Sequence, residues 1–203
     1  MGLLNEVQQK TQGQGVNNKL YKSAARLAIR RNSWKPLELQ DLIRNETMSR
    51  EMAFFLCTCV KARLNILVSG GTGAGKTTLV NALSISIPKE KRHIIGDVRG
   101  KNVREILRKE NKGLDGFLAT GHSSSPSNMI DRLEIIAYLE GMNLSMKAIR
   151  EQIAGTIDII VHLSRLNDGT RKVTKITEVQ GIEGENIVLR DIFTVNLLEG
   201  SYY

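Results

Sequence analysis

Apolar residues recur along this chain with two different periods, and the switch between them outlines the fold. Leu39, Leu42 and Ile43 sit at helical spacing just after the Lys35-Pro36 break, which predicts a short helix over 37–45. Ser49 then reads as an N-cap with Glu51 in the first turn, and Met52, Phe55, Leu56, Cys59 and Val60 fall at i, i+3, i+4, i+7 and i+8. That helix buries one face and feeds into the short apolar run that begins at Leu64. A helix follows from Lys76 to Ile87, closed by Pro88; the Lys89–Arg92 connector reads as a solvated turn. The apolar step His93–Asp97 and the run Gly116–Thr120 read as buried strands. Val103, Ile106 and Leu107 mark a helix between them, with Gly113 as its stop. Ser125-Pro126 opens another helix in cap-then-proline order, with Met129, Ile130, Leu133, Ile136 and Ala137 inward. Ser145 caps one more, carrying Met146, Ile149 and Ile153. Thereafter the chain turns β-rich: Thr156–Ser164 and Lys172–Val179 flank the hairpin signal Asn167-Asp-Gly169, and Asn186–Arg190 follows. Strands and helices that alternate and then give way to a meander predict an α/β fold, a mostly parallel sheet flanked by helices with a C-terminal antiparallel β extension.

The first element, Lys22–Arg31, alternates apolar and basic residues and reads as a short strand or an amphipathic helical turn. Before it, residues 1–24 are rich in Gln, Asn and Gly and read as a polar, flexible tail, leaving 25–203 as one domain. The 203 residues, 41% hydrophobic, suffice for a sizeable core. No apolar run approaches the ~20 residues needed to span a bilayer, and the amino terminus lacks a basic region followed by an apolar core, so the expectation is a cytoplasmic protein. Cys57 and Cys59 are two apart in a helical pattern and point to different sides, which suits reduced packing residues better than a metal site. The net charge of +8 is compatible with nucleic acid, acidic lipid or a nucleotide, and does not choose among them.

The chemistry concentrates between Leu64 and Leu83. An apolar run leads into Gly70-x-x-x-x-Gly75-Lys76-Thr77 and then a helix-favouring segment, the strand, loop and helix context of a phosphate-binding loop. Glycines at 70, 71, 73 and 75 let successive N–H groups converge on an anion. The following helix start favours negative charge. Lys76 is expected to reach the β and γ phosphates and Thr77 to ligate Mg²⁺. Asp97, at the carboxyl end of its strand, is placed to hold Mg²⁺ or its water shell, unless it caps the helix that starts near Asn102. His122, in the polar loop Gly121-His-Ser-Ser-Ser125, can sense or polarise a γ-phosphate, or can be a hydrogen-bonded loop residue.

Several blocks resemble the secretion ATPases of type II and type IV systems, in the tight-adherence (Flp) pilus-assembly branch often called CpaF-like. They are Pro36–Ile43, Ala62–Gly73, Ile95-Gly-Asp-Val-Arg-Gly100, Asp115–His122, Ser125-Pro126 with Asp131-Arg-Leu-Glu134, and Arg150–Ala154, continuing through Ile157–Val161, Leu163-Ser-Arg-Leu166, Asp168-Gly169 and Ile176–Val179. The resemblance implies a P-loop NTPase of RecA-like fold and a homohexameric motor. Its ATP sites would lie between subunits, and it would work peripherally at the inner membrane with secretion or pilus platform proteins. By motif, Gly70, Gly71, Thr72, Gly73, Ala74, Gly75, Lys76, Thr77 and Thr78 would be Walker A, Asp97 the acid of the Walker B-like strand and His122 the His box residue. Arg30 or Arg31 matches a basic position that would approach a nucleotide, across a subunit boundary or as a solvated charge.

The chain departs from that pattern in three places. The domain that precedes Ala25 in relatives is replaced by the polar segment. The section that holds the Asp box, whose glutamate activates water, is missing where Lys91-Arg92 runs into His93, so the domain is internally shortened near 92–93. Asp97 stands where relatives usually carry glutamate. The expected function is therefore Mg-ATP binding and hydrolysis by a secretion or Flp pilus-assembly motor, with turnover slowed by the absent base. A catalytically weak regulatory subunit of such a hexamer is the alternative. A nucleic-acid motor ranks last, since aromatics at 4% offer no stacking array and no direct nucleic-acid contact is expected. No acceptor pocket for a small-molecule kinase is evident in the pattern.

Overall fold

The computed structural model describes residues 36–87, 93–107, 116–196 and 201–202, and Glu38 and Ser49 open the first two helices among these described residues. The 1–24 segment, the Lys22–Arg31 element with Arg30 and Arg31, Pro88, the Lys89–Arg92 connector and Gly113 lie outside the described residues. Helix α1, Leu39–Arg44, carries a capping box in which Glu38 N donates to Asp41 Oδ2 at 3.0 Å. Helix α2, Arg50–Lys61, begins where Ser49 Oγ accepts from Met52 N, and it buries Met52, Ala53, Leu56, Cys59 and Val60. The chain turns at Arg63, in the left-handed region at φ 62, and enters strand β1, Ile66–Gly70, whose five residues are all buried.

Helix α3, Lys76–Ser84, follows β1. It stops short of the expected Ile87, because 85–87 continue only as a turn. Strand β2 is His93–Asp97, α4 is Lys101–Leu107, β3 is Phe117–Gly121, α5 is Pro126–Leu139 and α6 is Met146–Ala154. Ser125 and Ser145 cap the last two helices, accepting from Asn128 N and Ala148 N. The chain ends in β4, Ile159–Arg165, β5, Arg171–Glu183, β6, Asn186–Asn196, and the short β7, Ser201–Tyr202.

The sheet order is β2-β3-β1-β4-β5-β6-β7. The strands β2, β3, β1 and β4 run parallel, and β5 to β7 extend them antiparallel. Side chains alternate across β1: Ile66 and Val68 join a core with α2 and α3, while Leu67 joins a second core with α4, α5 and α6. Helices therefore cover both faces of the parallel part, which is why its strands read as continuous apolar runs. Asn65 fastens the starts of the central strands. Its Nδ2 donates to Thr156 O at 2.7 Å, its Oδ1 accepts from Phe117 N, and its own N donates to Asp158 Oδ2.

Two expectations need correction. Strand β2 is not buried in the sheet interior; it forms the sheet's edge among the described residues, and Ile94 is 46% exposed. Met146, expected inward, is 38% exposed, because α6 turns Ile149 and Ile153 to the core and its first residue points away.

Candidate functional site

The parallel strands all end on one rim, so the loops after Gly70, Asp97, Gly121 and Arg165 gather there, the usual ligand side of an open α/β sheet. The loop between β1 and α3 carries the densest chemistry. A Cβ at Gly70 would lie 2.3 Å from the Leu163 carbonyl oxygen, so only glycine lets β4 approach here, and its φ of +148 is one that other residues rarely adopt. Gly75, at φ +100, caps α3 in the left-handed conformation, and Gly73 is at φ +75. These angles fold the loop so that α3 starts at Lys76. Thr72 and Thr77 are exposed, Thr78 is half-buried and Ala74 is buried beneath the loop.

Lys76 turns back over this loop, its Nζ donating to Gly70 O at 2.8 Å and Gly71 O at 2.7 Å. Burial holds its ammonium below the ordinary lysine range; Asp97 opposes that shift and Arg99 adds to it. Lys76, Asp97 and Arg99 thus share one electrostatic neighbourhood, although β3 separates β2 from β1. A bulge at Gly96 moves Asp97 into register with Thr120 and re-aims its side chain. The Arg99 guanidinium binds Asp97 Oδ2, while Oδ1 is buried without a partner. An orphaned carboxylate oxygen suits a hard cation or its water shell. Among the described residues no three His, Cys, Asp or Glu side chains form a metal cage.

His122 follows β3 and lines an open cleft of about 920 Å³ with Gly71, Thr72, Asp131, His162 and Arg165. The structure thus brings the glycine loop and His122 to one cleft, and sets Asp97 within electrostatic reach of Lys76.

Sequence reasoning passed over several residues here. His162 is buried on β4, its Nδ1 2.9 Å from Ser69 Oγ at the head of the glycine loop. Burial, then Lys175 and Lys76, push its imidazole below the ordinary range, against a bond with the Ser124 backbone. It therefore bridges β1 to the loop that carries His122. A histidine inside the apolar run Ile159–Leu163 was the available signal. Arg165 and Arg171 flank the β4–β5 turn beside the glycine loop, and Arg99 follows Asp97; the sequence marks these only as ordinary charges.

Residues 20–95 match the family model described as type II/IV secretion system protein. The conjugal transfer protein TrbB of Rhizobium radiobacter is 25% identical over 204 residues, which cover 78% of this chain and 62% of TrbB. The type IV secretion system protein VirB11 of Bartonella henselae is 26% identical over 186 residues, covering 67% of this chain and 52% of VirB11. The chain thus spans roughly half to two thirds of the length of these relatives. Among solved structures, the VirB11 ATPase of the Brucella suis type IV secretion system, crystallised with sulphate, shares the fold at a TM-score of 0.58 and 21% identity, over 81% of this chain and 63% of that one. Over residues 20–95 the chain is therefore similar to the type II/IV secretion system proteins, over most of its length to the curated relatives TrbB and VirB11, and in fold to the solved VirB11 structure.

Proposed function

We propose that this chain binds Mg-ATP at the glycine loop and hydrolyses it slowly, as the nucleotide module of a secretion motor. The observation that carries the reading is the loop itself: Gly70, Gly73 and Gly75 hold angles that let main-chain donors converge, and Lys76 stands over them. The amides of Gly71 to Thr78 would grip the phosphates, and Lys76 would exchange its carbonyl partners for phosphate oxygens. Thr77 and Asp97 would hold Mg²⁺, which supplies charge neutralisation on the phosphates. His122, at the cleft wall, would contact the terminal phosphate and register its loss.

Slow turnover follows from the cleft's composition. Asp131 is the one carboxylate among its described lining residues, and Asp97 is already engaged by Arg99. A general base contributes about 10²- to 10⁴-fold, and the described lining residues include no glutamate for that role. The same feature favours the second reading, a regulatory subunit that binds nucleotide and leaves hydrolysis to complete copies. The finer parts of the proposal are pilin assembly or protein export in an Flp-type system, a homohexamer, a trans-acting Arg30 or Arg31, and a peripheral position at the inner membrane with platform proteins. An exposed apolar stripe on α5 beside the cleft, Ile135, Tyr138 and Leu139, supports assembly with further copies. No helix among the described residues is long and apolar enough to cross a membrane.

Phosphate release under single-turnover and steady-state conditions tests the reading. Slow release that Lys76→Ala abolishes supports the motor module. Bound ATP that persists unhydrolysed favours the regulatory subunit, and steady turnover that Lys76→Ala leaves intact would remove the glycine loop from the mechanism.

A further inference from the structure

The turn between β4 and β5 sets two arginines face to face beside the glycine loop. Leu166 N donates to Thr170 O at 2.8 Å, and Asp168 Oδ1 accepts from Thr170 N at 2.8 Å and Thr170 Oγ1 at 2.7 Å. This geometry pairs Arg165 with Arg171 directly across the antiparallel ladder. Like charges in that relation destabilise a sheet. The other cations of β5 are matched: Lys172 lies 3.6 Å from Glu46, and Lys175 binds Asp191. Arg165 and Arg171 have no carboxylate partner among the described residues. The acid nearest in sequence, Asp168, is taken up by Thr170.

Both side chains reach the loop. Arg171 lays its stem over Gly75, its Cδ 3.3 Å from where a Cβ on that residue would stand, and its Nε donates to Gly73 O at 2.9 Å. Arg165 brings Nη1 to 3.9 Å from the position of a Cβ on Gly73, and it lines the cleft that holds Thr72 and His122. The glycine loop therefore has Lys76 over its carbonyls and two unmatched guanidinium groups along its flank. Guanidinium is the group best shaped for bidentate phosphate contact.

We propose that the β4–β5 turn is an in-chain arginine clamp for polyphosphate, in which Arg165 contacts the bound phosphates and Arg171 is a positioning residue that fixes the Gly73 peptide. The charge of the anion offsets the cross-strand repulsion, so phosphate binding and hairpin order reinforce one another. The proposal rests on the reading of the loop as a nucleotide site and adds to it a phosphate contact from the same chain, independent of any neighbouring subunit.

Calorimetric titration of the full chain with tripolyphosphate and with Mg-ATP tests this, alongside thermal unfolding without ligand. Arg165→Gln is expected to weaken both ligands about tenfold, the loss of a charge-assisted contact, while the ligand-free melting temperature stays level or rises as the repulsion is removed. Arg165→Lys, which keeps the charge, recovers part of the affinity and shows that the loss is not misfolding. Arg171→Lys keeps its charge but has no Nε–H at the position that meets Gly73 O, its donors lying only at the end of a flexible stem, and is expected to lose as much affinity as Arg171→Gln; full affinity in Arg171→Lys would overturn the positioning role. Wild-type affinity in Arg165→Gln, with binding abolished in Lys76→Ala, would overturn the clamp and leave the nucleotide reading standing. Failure of the wild-type protein to take up either ligand would overturn both.

Discussion

Gly70 has the least room for change in the site, since its missing Cβ is what lets the β4 carbonyl at Leu163 lie against it. Gly70→Ala combines that collision with φ +148 and is expected to cost about 2 kcal/mol or more, read as a lowered urea midpoint. His162 gives the site a pH dependence. Its imidazole is held below the ordinary range by burial, so between the folded and unfolded values the unfolded chain binds the proton and the folded chain does not. The stabilising contribution is whole above about pH 6.5 and is lost as pH falls from there toward the folded value. Wild-type urea midpoints should therefore fall between pH 7 and pH 5, and more steeply than those of His162→Gln. Cys59 is buried and its thiol is pushed up to about 11, so it should resist alkylation at pH 8 until the protein unfolds. At this scale the sequence disclosed what local chemistry decides: Ser49, Ser125 and Ser145 cap helices because a serine before an amphipathic run has one favourable use. It hid what register decides. Arg165 and Arg171 become neighbours only when β4 and β5 pair, and His162 meets Ser69 only because β4 lies beside β1.

Among elements, β1 and β2 should behave most differently. β1 is flanked on both sides by parallel partners and sealed by helices on both faces, whereas β2 pairs only with β3 among the described residues and leaves Ile94 exposed. Amide hydrogen exchange should reach its slowest rates in β1 and run markedly faster in β2; equal protection would contradict an open edge. The position of β2 bears on catalysis, because Asp97 hangs from this edge strand and its aim depends on the Gly96 bulge. Strand existence was legible from apolar runs, while strand length was not. β5 extends to Glu183 and β6 to Asn196, beyond the expected Val179 and Arg190, because antiparallel pairing with a neighbour carries polar residues that periodicity alone assigns to loops. Similarly, α3 ends at Ser84 although the sequence pattern runs on to Ile87. Helix α6 is tied down by Arg150, which bonds Glu134 on α5 and the Glu185 carbonyl, a link between distant segments that no local pattern announces.

At the scale of the molecule, a parallel α/β core brings four loop ends to one rim; the end of β4 supplies Arg165 there, and the antiparallel extension begins with Arg171 across the turn. The α/β class was legible because strand and helix periods alternate and then stop alternating. The role of the extension was not, since it comes from the way the meander folds back against the glycine loop. Of the surplus of positive charge, +8 over the chain, Lys76, Arg165 and Arg171 lie at this rim, and the two arginines have no carboxylate partner among the described residues. All of this turns on whether the loop around Lys76 grips a triphosphate. Isothermal titration of the folded chain with Mg-ATP decides it most directly: the account predicts saturable, one-to-one binding that Lys76→Ala removes, whereas an absence of binding heat by the folded wild-type protein across a range of temperatures would contradict it.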